Sequence, residues 1–102
     1  MNFEWDEEKN KENILKHHIS FADAWEIFEQ PLLADVDLRE NYGETRYVGI
    51  GLLGTIVVVV VFTERKGDII RIISLRKALR YERERFEEYL RNELGTSKDD
   101  VR

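Results

Sequence analysis

Residues 47–63 form an unbroken stretch of 17 residues with no charged side chain. This is the low edge of the roughly 17–25 residues that cross a bilayer as a helix. Three features inside it point elsewhere. Gly49, Gly51 and Gly54 punctuate it, residues 57–61 are all valine, and Leu53-Gly54-Thr55 has the composition of a turn. β-branched residues favour strands, and a turn between two apolar runs reads as a hairpin. We therefore expect two strands, 46–52 and 56–62, in the middle of a sheet. The second is apolar on both faces, as is 69–75, so both should be central.

The flanks follow from local signals. Residues 3–5 suit a short strand or an anchored arm. Asp6 is a good helix N-cap, with Glu7 and Glu8 in a first turn that favours anions. That helix should run to about His17, with Ile14 and Leu15 as its apolar contacts. Ser20 opens a second helix, whose Phe21, Ala24, Trp25 and Phe28 make one apolar stripe before Pro31 ends it. Such a stripe can stack bases but is ordinarily core. Residues 32–38 alternate, with Leu32, Ala34, Val36 and Leu38 on one face and Asp35 and Asp37 on the other, as in a half-exposed strand. A last helix spans about 76–92, with Leu79, Phe86 and Leu90 on one side and Gly95 as its stop. The expected fold is α+β: a small antiparallel sheet with two N-terminal helices and one C-terminal helix. One domain should occupy residues 1–94, with a flexible tail over 95–102.

Charge narrows the function. The chain carries a net −5, which by itself argues against nucleic acid. However, residues 63–85 hold 8 basic and 4 acidic side chains, and a local basic patch can bind phosphate on an acidic molecule. The absence of cysteine excludes disulfides and thiolate metal sites and fits a reducing compartment. MNFEWDEEKN does not resemble a signal peptide, so a cytoplasmic, membrane-free protein is expected. No phosphate-binding glycine loop, paired-histidine zinc motif or G-x-S-x-G elbow is present.

Three constellations could carry chemistry. Arg76, Arg80 and Arg83 share one face of the expected last helix, beside Lys77. They either bind phosphate or form a solvated face bridged to Glu82, Glu84 and Glu87. Arg71 interrupts an otherwise apolar strand, so it needs a partner such as Asp35 or Asp37, or an opening onto a cleft. Lys16-His17-His18 ends a helix, where a histidine can move protons near neutral pH or simply cap the carbonyls. Gly49 and Gly51 leave a bare strip beside Arg46 for a packed helix or a ligand. Adjacent histidines on a helix do not share a metal easily, and no metal site is expected.

A wider pattern joins these residues. Phe3-Glu4-Trp5-Asp6, Lys9, Asn13, and Lys16-His17-x-Ile19-x-Phe21-x-x-Ala24-x-x-x-Phe28-x-x-Pro31 resemble the N-terminal half of the BrnT-like toxins. Glu44-x-Arg46, the valine-rich strand, Arg71-Ile72-Ile73-Ser74-x-Arg76-Lys77-Ala78 and Glu82-Arg83 resemble the second half. The likeness covers residues 3–90. It departs at His18, where glycine is common after the Lys-His pair, and at Leu75, where a small residue is common.

The resemblance implies a RelE-like fold, a toxin ribonuclease that stops translation, and a cognate ribbon-helix-helix antitoxin. Operator DNA would be met only through that antitoxin. A ribonuclease without metal or other cofactor must align the RNA 2′-OH, stabilise the charged phosphorane and protonate the leaving 5′-oxygen, and cations can supply much of this. The expected roles are Arg71, Arg76 and Arg80 on the phosphate, Lys16, His17 and Glu64 in proton transfer, and Arg46, Lys77 and Arg83 on the substrate. The competing expectation is a non-catalytic protein- or RNA-binding module that docks through the basic helix.

Overall fold

The computed structural model describes residues 1–94; the expected stop at Gly95 and the tail 95–102 lie outside the described residues. The elements are strand β1 (Asn2–Glu4), helix α1 (Glu7–His17), a 3₁₀ helix (Phe21–Glu29), strands β2 (Leu33–Val36), β3 (Tyr47–Leu53), β4 (Ile56–Arg65) and β5 (Ile69–Lys77), and helix α2 (Arg80–Leu94). The uncharged stretch forms β3, the turn and most of β4. Among the described residues no helix is long and apolar enough to cross a membrane.

The sheet has five strands in the order β1-β5-β4-β3-β2. The β2–β5 meander is antiparallel as expected, but β1 joins β5 in parallel, pairing Asn2 with Ile69 and Glu4 with Arg71. The sheet is therefore mixed. β1 reaches β5 because the intervening chain returns across one face of the sheet.

Two core layers follow from the strand alternation. Val58, Val60, Phe62, Ile70, Ile72 and Leu75 pack against Ile19, Phe21, Ala24 and Ile27. On the other face Ile50 and Val59 meet Ala78 and Phe86. β4 and β5 supply both the expected centre and the register: a bulge at Ile73 pairs Phe62 with Ile72 but Val61 with Ser74.

Several expectations change in physical detail. The second helix is 3₁₀, with three residues per turn, so its buried stripe is Phe21, Ala24 and Ile27, and Trp25 turns outward at 51% exposure. Ile27 and Leu32 fill the bare glycine strip: a Cβ on Gly51 would lie 2.9 Å from Ile27 Cγ2, and one on Gly49 2.9 Å from Leu32 Cδ1. β2 stops at Val36 rather than 38. Asp37 then turns inward and Leu38 outward, because the Asp37 carboxylate accepts from the Arg39 guanidinium at 2.8 and 2.7 Å and from the Tyr42 hydroxyl at 3.0 Å. In α1 the expected apolar contacts Ile14 and Leu15 are exposed, and the buried residues are Asn10 and Asn13.

Candidate active site

The site begins with those two asparagines. Asp6 caps α1, accepting from the N–H groups of Glu8 and Lys9. One face of the helix then presents amides instead of hydrocarbon. Asn10 Oδ1 accepts the Phe21 N–H at 2.8 Å. Asn13 donates to the carbonyls of Ile19 at 3.0 Å and Leu75 at 2.8 Å, and accepts the Leu75 N–H at 3.2 Å. A buried polar group is tolerated when its hydrogen bonds are made. The last two of these bonds copy a strand partner. β1 covers β5 only from Ile69 to Arg71, and Asn13 takes over at Leu75.

Docked in this way, α1 delivers its last turn to the end of β5. Lys16, His17, His18, Arg76, Lys77 and Leu79 line an open cleft of about 600 Å³. A second hollow of about 190 Å³ adjoins it, lined by Lys9, Glu12, Asn13, Lys16, His17, Ile73 and Ser74. Lys16 and His17 belong to both, so the two form one groove along α1 and β5. His18 closes α1 in the left-handed region at φ 60°, its N–H donating to the Ile14 carbonyl at 2.8 Å. Thus His18 caps the helix by its backbone and is also among the residues lining the cleft.

Arg76 stands on β5, not on the last helix, because β5 stays paired with β4 as far as Lys77. Its guanidinium donates to both Glu82 carboxylate oxygens at 2.9 Å. Glu82 also accepts the Leu79 N–H at 2.7 Å, which is half of a capping box at the start of α2. The Arg76 hydrogen bonds hold the Glu82 carboxyl below its ordinary value, and Glu82 raises the Arg76 guanidinium in turn. Arg76 is thereby fixed in place with most of its charge matched. Among the described residues, the groove's positive charge that is not engaged in a salt bridge comes from lysines.

The other expected residues do not gather there. Arg71 finds Glu4 at 2.9 Å, not Asp35 or Asp37. Glu4 also meets Arg65 at 3.5 Å, Arg65 meets Glu44 at 3.4 Å, and Glu44 meets Arg46 at 3.2 Å. Arg46 in turn lies over the Tyr42 ring at 4.2 Å. Arg71 pairs across the sheet with Thr63, whereas Glu64 pairs with Ile70, so Glu64 points to the opposite face from Arg71. Arg80 is 85% exposed and bridged to Glu84 at 3.2 Å, and Arg83 donates to the Ala78 carbonyl. The expected arginine stripe 76/80/83 does not exist, since its first member is on a strand.

The residues missed by role were Lys9, Ser74 and Glu82. Lys9, Asn13 and Lys16 lie at i, i+4 and i+7, and that spacing could have revealed the groove wall. Among the described residues no group of three or more His, Asp or Glu side chains is placed to share a metal ion.

Comparison with known proteins bears on the family of the chain. Residues 5–82 match the family described as "Ribonuclease toxin, BrnT, of type II toxin-antitoxin system". The fold is similar to the crystal structure of the Brucella abortus ribonuclease toxin BrnT, at 33% identity and a TM-score of 0.61, over 78% of this chain and 99% of that one. No significant match is found among curated proteins. Lys9, Asn13, Lys16, His17, Ser74, Arg76 and Lys77 all line the groove and all stand within the matched span. The chain belongs to the BrnT family of ribonuclease toxins of type II toxin–antitoxin systems.

Proposed function

We propose that this chain is a metal-independent endoribonuclease that cuts RNA and thereby stops translation, working as one RelE-like domain over residues 1–94. Its cognate partner is a ribbon-helix-helix antitoxin, through which alone it meets operator DNA, and both act in the cytoplasm. The reading rests on one observation: Lys16 and His17 face the same cleft as Arg76 and Lys77.

Such a cleft suits phosphate chemistry. The RNA 2′-oxygen attacks phosphorus, the bond to the 5′-oxygen breaks, and a cyclic phosphate and a 5′-hydroxyl result. Lys16, Arg76 and Lys77 hold the phosphate and the charge that grows on it, which is often the largest catalytic contribution. His17 exchanges the proton with the 2′-OH or the leaving oxygen. Arg71 and Arg46 lie in the ion-pair chain beyond the groove and bear on substrate only beyond the cut. Arg80, Arg83 and Glu64 lie outside this set. The alternative, a non-catalytic module docking by a basic helix, has little surface to use, because α2 carries 4 arginines and 5 glutamates.

The test is cleavage of a defined RNA by the purified protein in EDTA, beside His17→Ala, Lys16→Ala and Arg76→Lys. The wild type should cut and leave 5′-hydroxyl ends, and each folded variant should lose about 10²–10³ in rate. Wild-type rates from folded His17→Ala and Lys16→Ala would end this assignment. Expression with and without the antitoxin checks that translation stops only in its absence.

A further inference from the structure

We infer that the smaller hollow is a second phosphate subsite, which holds the RNA backbone one or more nucleotides from the cut through Lys9 and Ser74. The inference rests on the ribonuclease reading above and adds the direction in which the substrate lies.

Geometry carries it. Lys9 and Lys16 stand seven residues apart on one face of α1, a separation of about 10.5 Å along the helix. Lys9 is not among the residues that line the cleft of Arg76 and Lys77. Yet Lys9 shares a hollow with Lys16 and His17, so the two cation positions lie along one continuous groove. Their charges are available: among the described residues Lys11 is the α1 lysine engaged in a salt bridge, with Glu8. Ser74 adds a hydroxyl donor from the β5 side, brought there by the bulge at Ile73.

Glu12 lines the same hollow. Its carboxylate opposes an anion and keeps the hollow's charge close to what one phosphate neutralises. Removing Lys9 and removing Glu12 must then act in opposite directions, which separates a phosphate subsite from a merely structural role.

The probe is a single-stranded hexanucleotide with 2′-O-methyl groups throughout, which binds but is not cut. Its affinity is measured between 50 and 200 mM salt for wild type, Lys9→Ala and Glu12→Gln. Each phosphate contact contributes about 0.7 to the slope of log affinity against log salt for single strands. Lys9→Ala should lower the slope by about 0.7 and weaken binding several-fold at low salt. Glu12→Gln should tighten it. Lys9 is exposed and the Asp6 cap uses only its backbone N–H, so a matched thermal melt verifies the fold. An unchanged slope for Lys9→Ala, or weaker binding by Glu12→Gln, overturns the subsite while wild-type RNA cleavage leaves the ribonuclease reading standing. A wild type that neither binds the hexanucleotide nor cuts RNA overturns both.

Discussion

The Asn13 side chain completes the sheet at Leu75, accepting its N–H at 3.2 Å and donating to its carbonyl at 2.8 Å. Asn13→Ala leaves both backbone groups without these bonds and should cost about 2–4 kcal/mol, read from urea denaturation. Asn13→Asp should be no better at neutral pH, because an ionised carboxylate has no proton for the Leu75 and Ile19 carbonyls. Its stability should recover as acid protonates it, opposite to the wild-type trend.

That wild-type trend is set by two paired carboxylates. Hydrogen bonds from Arg39 hold Asp37 well below the usual carboxylate range, and those from Arg76 lower Glu82. A carboxyl depressed in the folded state stabilises it fully above the unfolded value of about 4, and the contribution is lost as pH falls toward the folded value. The protein should therefore lose stability from about pH 4 downward. Asp37→Asn and Glu82→Gln should each flatten that acid limb in a series of urea midpoints against pH.

His18 occupies the left-handed region, which suits glycine. His18→Gly should stabilise the protein by about 0.5–1 kcal/mol in thermal or urea unfolding. The same variant separates backbone from side chain. RNA cleavage that falls in spite of greater stability would assign the imidazole a part in the cleft.

Gly51 should tolerate alanine poorly. The new Cβ would meet Ile27 Cγ2 at 2.9 Å, and Ile27 is fully buried, so the cost should be about 1–3 kcal/mol. Gly49→Ala should cost less, since its close neighbour is the movable end of Leu32. Comparative thermal melts decide the order.

These sites show what a sequence displays and what it hides. The valine run, the Asp6 and Ser20 caps and the two-faced apolar run of β5 act locally, and the structure has a strand or helix where each signal stands. Asn10 and Asn13 carry no local signal of burial, because burying an amide is sensible only once its tertiary partners are known. The stripe from Phe21 was visible, but its period of three rather than 3.6 was not, and so Trp25 and Ile27 exchanged places. Arg76 looked helical because its spacing to Arg80 and Arg83 fits a helix, whereas a β4 pairing decides otherwise. Lys16 and His17 stand out in the sequence as neighbours, and their meeting with Arg76 and Lys77 in one cleft depends on the Asn13 contact. That contact is between residues 62 positions apart.

The same separation bears on how the protein is made. One wall of the groove leaves the ribosome early, on α1, and the other is among the later segments of the chain. A nascent or prematurely ended polypeptide lacking β5 has neither the edge that Asn13 caps nor the opposing cations. Assembly of the groove is thus deferred until most of the message has been read, and partial products of a toxin gene carry no complete site.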